Sequence, residues 1–147
     1  MHSYVTVVIA GLLGAAAMQS TMRLISRAGW AKGNMVIALG SLFTRSRANA
    51  GRVGAILHAV WAVIFSILYA LLIEATHRTA ISETFALGLG IGFLHGMVVS
   101  ILLVCVVAEH HPLEEFKEAD LAIGLSHLAG HLVFGGVVGL VVGISML

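Results

Sequence analysis

Four long stretches of the chain carry no charged side chain: residues 4–22, 53–73, 85–108 and 121–147. Each is continuously apolar, and each reaches the roughly 20 residues a helix needs to cross a hydrocarbon core. A segment in lipid must satisfy its own backbone hydrogen bonds, which leaves helices or a closed barrel. Barrel strands read as segments of about ten residues with apolar and polar positions alternating. These runs are longer and do not alternate, so they predict four membrane-spanning helices. A shorter apolar run begins at Met35. It is too short to span, has Asn34 placed to cap it and is flanked by basic residues. It predicts an interfacial helix over residues 34–43, lying on the inner leaflet; a re-entrant hairpin is the alternative. The expected fold class is all-α: one domain over residues 1–147, an integral membrane four-helix bundle with a short interfacial helix in its first loop.

The first run carries Ala15, Ala16 and Ala17, which resemble a signal cleavage site. No Lys or Arg precedes it, so the basic segment of a signal peptide is missing, and a retained helix is expected. Composition narrows the class further. Hydrophobic residues make up 59% of the chain and charged residues 10%, against about 25% charged in soluble domains. That excludes a soluble globular protein and a disordered one. A single cysteine excludes a disulfide framework and a CxxC motif. A net charge of +1 argues against nucleic acid as a partner and leaves the lipid bilayer as the surroundings.

The distribution of charge says more than its sum. Arg23, Arg27, Lys32, Arg45, Arg47 and Arg52 follow the first run, and Lys117 follows the third. These two loops share a side and hold seven of the eight basic residues; the other side has Arg78 alone. The bias predicts a cell or inner membrane protein with both termini outside and the first and third loops in the cytoplasm. The third loop, residues 109–120, holds five acids and reads as an electrostatic partner for the basic first loop.

Gly88, Gly92 and Gly96 recur every fourth residue, as do Gly135, Gly139 and Gly143. Small residues at this spacing let two helices approach closely. They predict either contact between the third and fourth helices or a homo-oligomer seam. Ser66, Ser100 and Ser126 add candidates for hydrogen bonds inside the bundle.

Four of the eight histidines, His58, His95, His127 and His131, fall inside the runs. Ionisable groups are costly in lipid, so they face the bundle interior and often mark a site. At a rise of 1.5 Å per residue, His58 and His127 both lie about 9–10 Å from the inner boundary, with His131 about 16 Å and His95 about 21 Å deep. His127 and His131 are four residues apart, which puts both rings on one helix face within reach of one ion. Imidazole suits Cu, Fe and Zn. Glu109, His110 and His111, at the inner end of the third helix, are further candidate ligands. So are Met18 and Met22, also four apart, whose thioethers favour Cu(I). The same depths suit bis-His haem ligation, with His58 and His127 as the best axial pair and His95 with His131 as the second. The cofactor expected is a metal ion (Cu, Fe or Zn) or haem b. Glu74 and His77 form a single E-x-x-H pair; a di-iron bundle site needs two.

The H-x-x-x-H pair and the adjacent His110 and His111 resemble the histidine boxes of membrane desaturases over those few residues, without the HxxHH box. No nucleophilic triad, P-loop or dinucleotide fingerprint is present, so no reaction is assigned. The sequence predicts a small polytopic membrane protein that binds a metal ion or haem through intramembrane histidines, for redox chemistry or metal handling. The alternatives are a non-catalytic, cofactor-holding subunit of a larger membrane complex and a histidine-lined proton or ion pathway.

Overall fold

A computed structural model describes residues 3–31 and 34–146. Lys32, counted with the first basic loop, and Leu147, the expected end of the fourth run, lie outside the described residues. Among these, the chain is all-helical, with helices α1 (Tyr4–Arg27), α2 (Met35–Thr44), α3 (Ala50–Ala75), α4 (Ile81–Leu102) and α5 (Leu121–Ile144). A π turn, Leu103–Val107, prolongs α4, and a 3₁₀ turn, Glu114–Phe116, interrupts the third loop. Four helices, counting α4 with its π turn, are long and apolar enough to cross a membrane.

Three helices start on side-chain caps. Ser3 accepts from the Thr6 N–H at 3.1 Å, Asn34 from Ile37 at 3.2 Å and Asp120 from Ile123 at 2.9 Å. Each satisfies a backbone donor that the first turn leaves without a helical partner. Helix boundaries differ from the charge-free runs because charge ends a span but not a helix. α1 continues to Arg27, a basic residue that suits the negative end of the helix dipole. α4 begins at Ile81 and takes Glu83 into its first turn.

Successive long helices run antiparallel, and α5 is the most enclosed of them. Its glycines account for that. A Cβ at Gly88 would run into the carbonyl oxygen of Gly135, one at Gly92 into that of His131, and one at Gly139 into that of Thr84. The two glycine stripes therefore face each other within the chain, and α4 and α5 meet backbone to backbone. On the other side of α5, Gly14 of α1 sits over the Phe134 ring. Ser66 donates to the Val7 carbonyl at 2.8 Å and Ser100 to that of Gly124 at 2.8 Å, both across helices. Ser126 instead bonds back to Ile123 of its own helix at 2.8 Å.

α2 does not lie alone. A Cβ at Gly40 would strike the Ala50 carbonyl, and one at Gly54 the Val36 carbonyl. Those two contacts make α2 antiparallel to the first turns of α3. The reversal needs the left-handed residues Arg45 (φ 50°) and Asn49 (φ 60°). Helix α2 thus packs against α3, and two glycines let the backbones touch.

The bundle is unevenly filled. At one end Ala10, Tyr69, Ile73, Val138 and Val142 form a solid core. At the other, α3 and α4 touch sparingly and a cavity remains. That hollow end carries the first and third connections, tied by an ion pair between Arg47 and Glu115.

Candidate functional site

The site is built on one face of α5. Positions 127, 130, 131 and 134 fall within a single arc of the helix, so His127, Gly130, His131 and Phe134 look the same way, and all are buried. Each imidazole is oriented by its own helix. His127 donates Nδ1–H to the Ile123 carbonyl at 2.9 Å, and His131 donates Nδ1–H to the His127 carbonyl at 2.8 Å. A carbonyl only accepts, so the proton of each neutral ring sits on Nδ1 and the lone pair on Nε2. His127 is 5% exposed, and its Nε2 has no hydrogen-bond partner. A buried acceptor left in that state costs about 1–3 kcal/mol.

α4 and α3 supply the remaining rings. Nδ1 of His95 lies 3.0 Å from the hydroxyl of Tyr69, itself 1% exposed. The His95 ring lies tilted against Phe65, with centroids 4.1 Å apart, and meets His131 edge to face at 4.6 Å. Rings in contact leave no gap for a macrocycle, since metal–nitrogen bonds of about 2 Å on each side would hold the two nitrogens roughly 4 Å apart. His95 and His131 are therefore not an axial pair in this structure. His58 makes no hydrogen bond among the described residues.

All four of these histidines line one cavity of about 300 Å³, together with His111. Trp61, Phe65 and Phe134 form apolar wall, and Met18, Met22 and Met35 line it from α1 and α2. Glu115 and Glu118 stand on its lining from the acidic loop. Among the described residues, no Lys or Arg lines it, and no three His, Cys, Asp or Glu side chains come close enough together to hold a metal ion.

The other candidates are placed differently. Glu109 and His110 are exposed and off the cavity; His110 donates Nδ1–H to the Val106 carbonyl at 2.9 Å, capping the helix end. His111 is 2% exposed and occupied at both nitrogens. Its Nε2–H donates to the Ala38 carbonyl at 3.1 Å, and its Nδ1 accepts from the Leu113 N–H at 3.1 Å. It fastens the acidic loop to α2. Glu74 and His77 sit at the opposite end of α3, and Cys105 is exposed in the π turn.

Sequence reasoning did not single out Tyr69, Met35, Glu115 or Glu118 as site residues. Tyr69 had a signal: a phenol inside an apolar helix needs a partner for its hydroxyl. Met35 had none, because an apolar residue on a short apolar helix looks like any other. Compared with protein-family models, curated proteins and solved structures, the chain matches none.

Proposed function

We propose that this chain is a small integral membrane protein that binds a metal ion through His58, His95, His127 and His131, in redox chemistry or metal handling. The first and third loops lie in the cytoplasm and both termini outside. The observation that carries the reading is the Nε2 atom of His127. It is a buried lone pair, fixed in the ligating tautomer by Ile123, without a donor among the described residues, and one helical turn from a second histidine in the same tautomer. A ligand that accepts that lone pair removes its desolvation penalty, and metal-bound histidines commonly hold their other nitrogen on a carbonyl in this way.

A second reading, haem b held by His58 and His127, is favoured by the aromatic and apolar walls of the cavity. One preparation tests both. Protein purified in mild detergent is expected to carry metal in stoichiometric amount, with a Soret band if the metal is haem iron. The double variant His127→Ala/His131→Ala is expected to lose it. A colourless, metal-free protein that neither gains metal on addition nor changes stability with a chelator would sink both readings.

A further inference from the structure

The imidazoles do not by themselves make a closed ligand set, so a bound ion needs donors from elsewhere. What lies beside them is sulfur. A Cβ at Gly130 would meet Cγ of Met18 at 3.0 Å and Cγ of Met22 at 3.3 Å. Gly130 shares the α5 face of His127 and His131, and its missing side chain is what lets both methionines reach the helix between them. Met18 is 3% exposed. Met35, on α2, lines the same cavity as a third thioether.

Charge selects among metals. The imidazole and thioether donors in the deep part of the cavity are neutral. Glu115 and Glu118 belong to the loop at the cavity's end, and among the described residues no Lys or Arg lines it. The cost of burying an ion grows with the square of its charge, so a divalent ion among neutral ligands pays roughly four times the Born penalty of a monovalent one. Thioether is also a soft ligand that selects Cu(I), whereas Zn(II) and Fe(II) favour harder donors. The acidic loop suits the approach of a cation and opposes the propionates of haem.

We infer that the ion is cuprous copper, held by the thioethers of Met18 and Met22 together with Nε2 of His127 and His131, with Met35 as a further sulfur donor. This rests on the metal-binding reading above, specifies its ion and narrows its imidazole ligands to His127 and His131, with His58 and His95 as cavity wall. The ligand set is mixed, from α1 and α5, and it forms where the two helices are already in contact.

The test uses purified full-length protein in detergent under nitrogen. Copper is kept reduced with ascorbate and competed against a chromophoric cuprous chelator; Zn(II), Fe(II) and haemin are titrated in parallel. Wild type is expected to take one Cu(I) per chain. Met18→Leu/Met22→Leu, which conserves volume, is expected to weaken Cu(I) by about tenfold or more, since outer-shell changes alone cost ~10–100-fold, and to leave Zn(II) binding unchanged. Met35→Leu, outside the bundle core, should weaken Cu(I) in the same direction and serves if the double variant does not fold. Cu(I) bound equally well by wild type and both variants overturns the thioether assignment and leaves the metal-binding reading standing. So does wild type that takes Zn(II), Fe(II) or haemin in preference to Cu(I). Protein that binds none of the four overturns both.

Discussion

Tyr69 and His95 join α3 to α4 through a contact of 3.0 Å between the phenol oxygen and Nδ1. It spans the seam where those helices otherwise touch least, and both rings sit in an aromatic cluster with Phe65, His131 and Phe134. Tyr69→Phe keeps the ring and removes the hydroxyl. It is expected to cost about 1 kcal/mol, because the half-buried partner nitrogen loses its hydrogen bond. Thermal unfolding in detergent measures this, and His95→Phe in the Tyr69→Phe background should add little further loss. Full additivity of the two would mean that the bond contributes nothing.

Replacing His127 by leucine separates binding from stability. The metal-free protein should be no less stable than wild type, since the change removes an orphaned acceptor that costs about 1–3 kcal/mol, while metal binding should fall away. A histidine that served only to hold the fold would show the reverse: lower stability and no change in bound metal.

Metal occupancy should depend on pH in one direction. A proton and a metal ion compete for the same Nε2 lone pair, and imidazole has an ordinary pKa of about 6.5. Occupancy is therefore expected to fall as the medium is acidified and to hold as it is made alkaline. Metal content measured after dialysis at a series of pH values checks this; metal retained in full even at about pH 3, far below the ordinary imidazole range, would point away from imidazole ligands.

The glycines of α4 and α5 are not equivalent. Gly135→Val puts methyl groups into the backbone of Gly88 and should cost about 3 kcal/mol, the upper end of overpacking penalties, because a carbonyl cannot move aside as a side chain can. Gly90 has nothing within 4 Å of its added Cβ, so Gly90→Ala should be neutral or stabilise by about 0.5–1 kcal/mol through helix propensity. Unfolding temperatures of the two variants decide whether the α4–α5 contact is as close in solution.

The two ties at the hollow end should also differ in strength. Arg47 and Glu115 are largely exposed, and Arg47→Ala should cost no more than about 1 kcal/mol. His111→Ala removes one of two side-chain donors to the Ala38 carbonyl, which keeps the Ser41 hydroxyl, and takes the acceptor from the half-buried Leu113 N–H; it should cost about 1–2 kcal/mol. Similar losses for the two would show that the loop is not fastened at His111.

Much of this architecture is legible in the chain, and the reasons differ by feature. Charge-free length is a property of each segment alone, so the four long helices can be read directly. The glycine spacing identifies a face but not what it meets. The opposed stripes of Gly88 and Gly135 became a helix pair only when α5 turned back on α4. The face shared by His127 and His131 follows from helical period. Which ring touches which depends on helix rotation, and that has no local signature; hence His95 and His131 pair by depth in the sequence, but the contact of His95 with Tyr69 has no signal there. Residues that act through packing, such as Met35, are silent for the same reason. The placement of α2 turned on two left-handed residues, Arg45 and Asn49, neither of them glycine, which no local rule would have marked as a tight reversal.

The wide turn at Leu103–Val107 carries one residue more than the α turn it replaces. One residue is about 100° of helical rotation, so everything downstream is re-phased by that angle. Ala108 and His111 arrive facing inward while Cys105 points out. A single-residue deletion inside this segment would restore an ordinary helix and swing the latch histidine off its carbonyl, with no change to any residue that touches the cavity's far wall. The length of this stretch, rather than its composition, is what aims the end of α4.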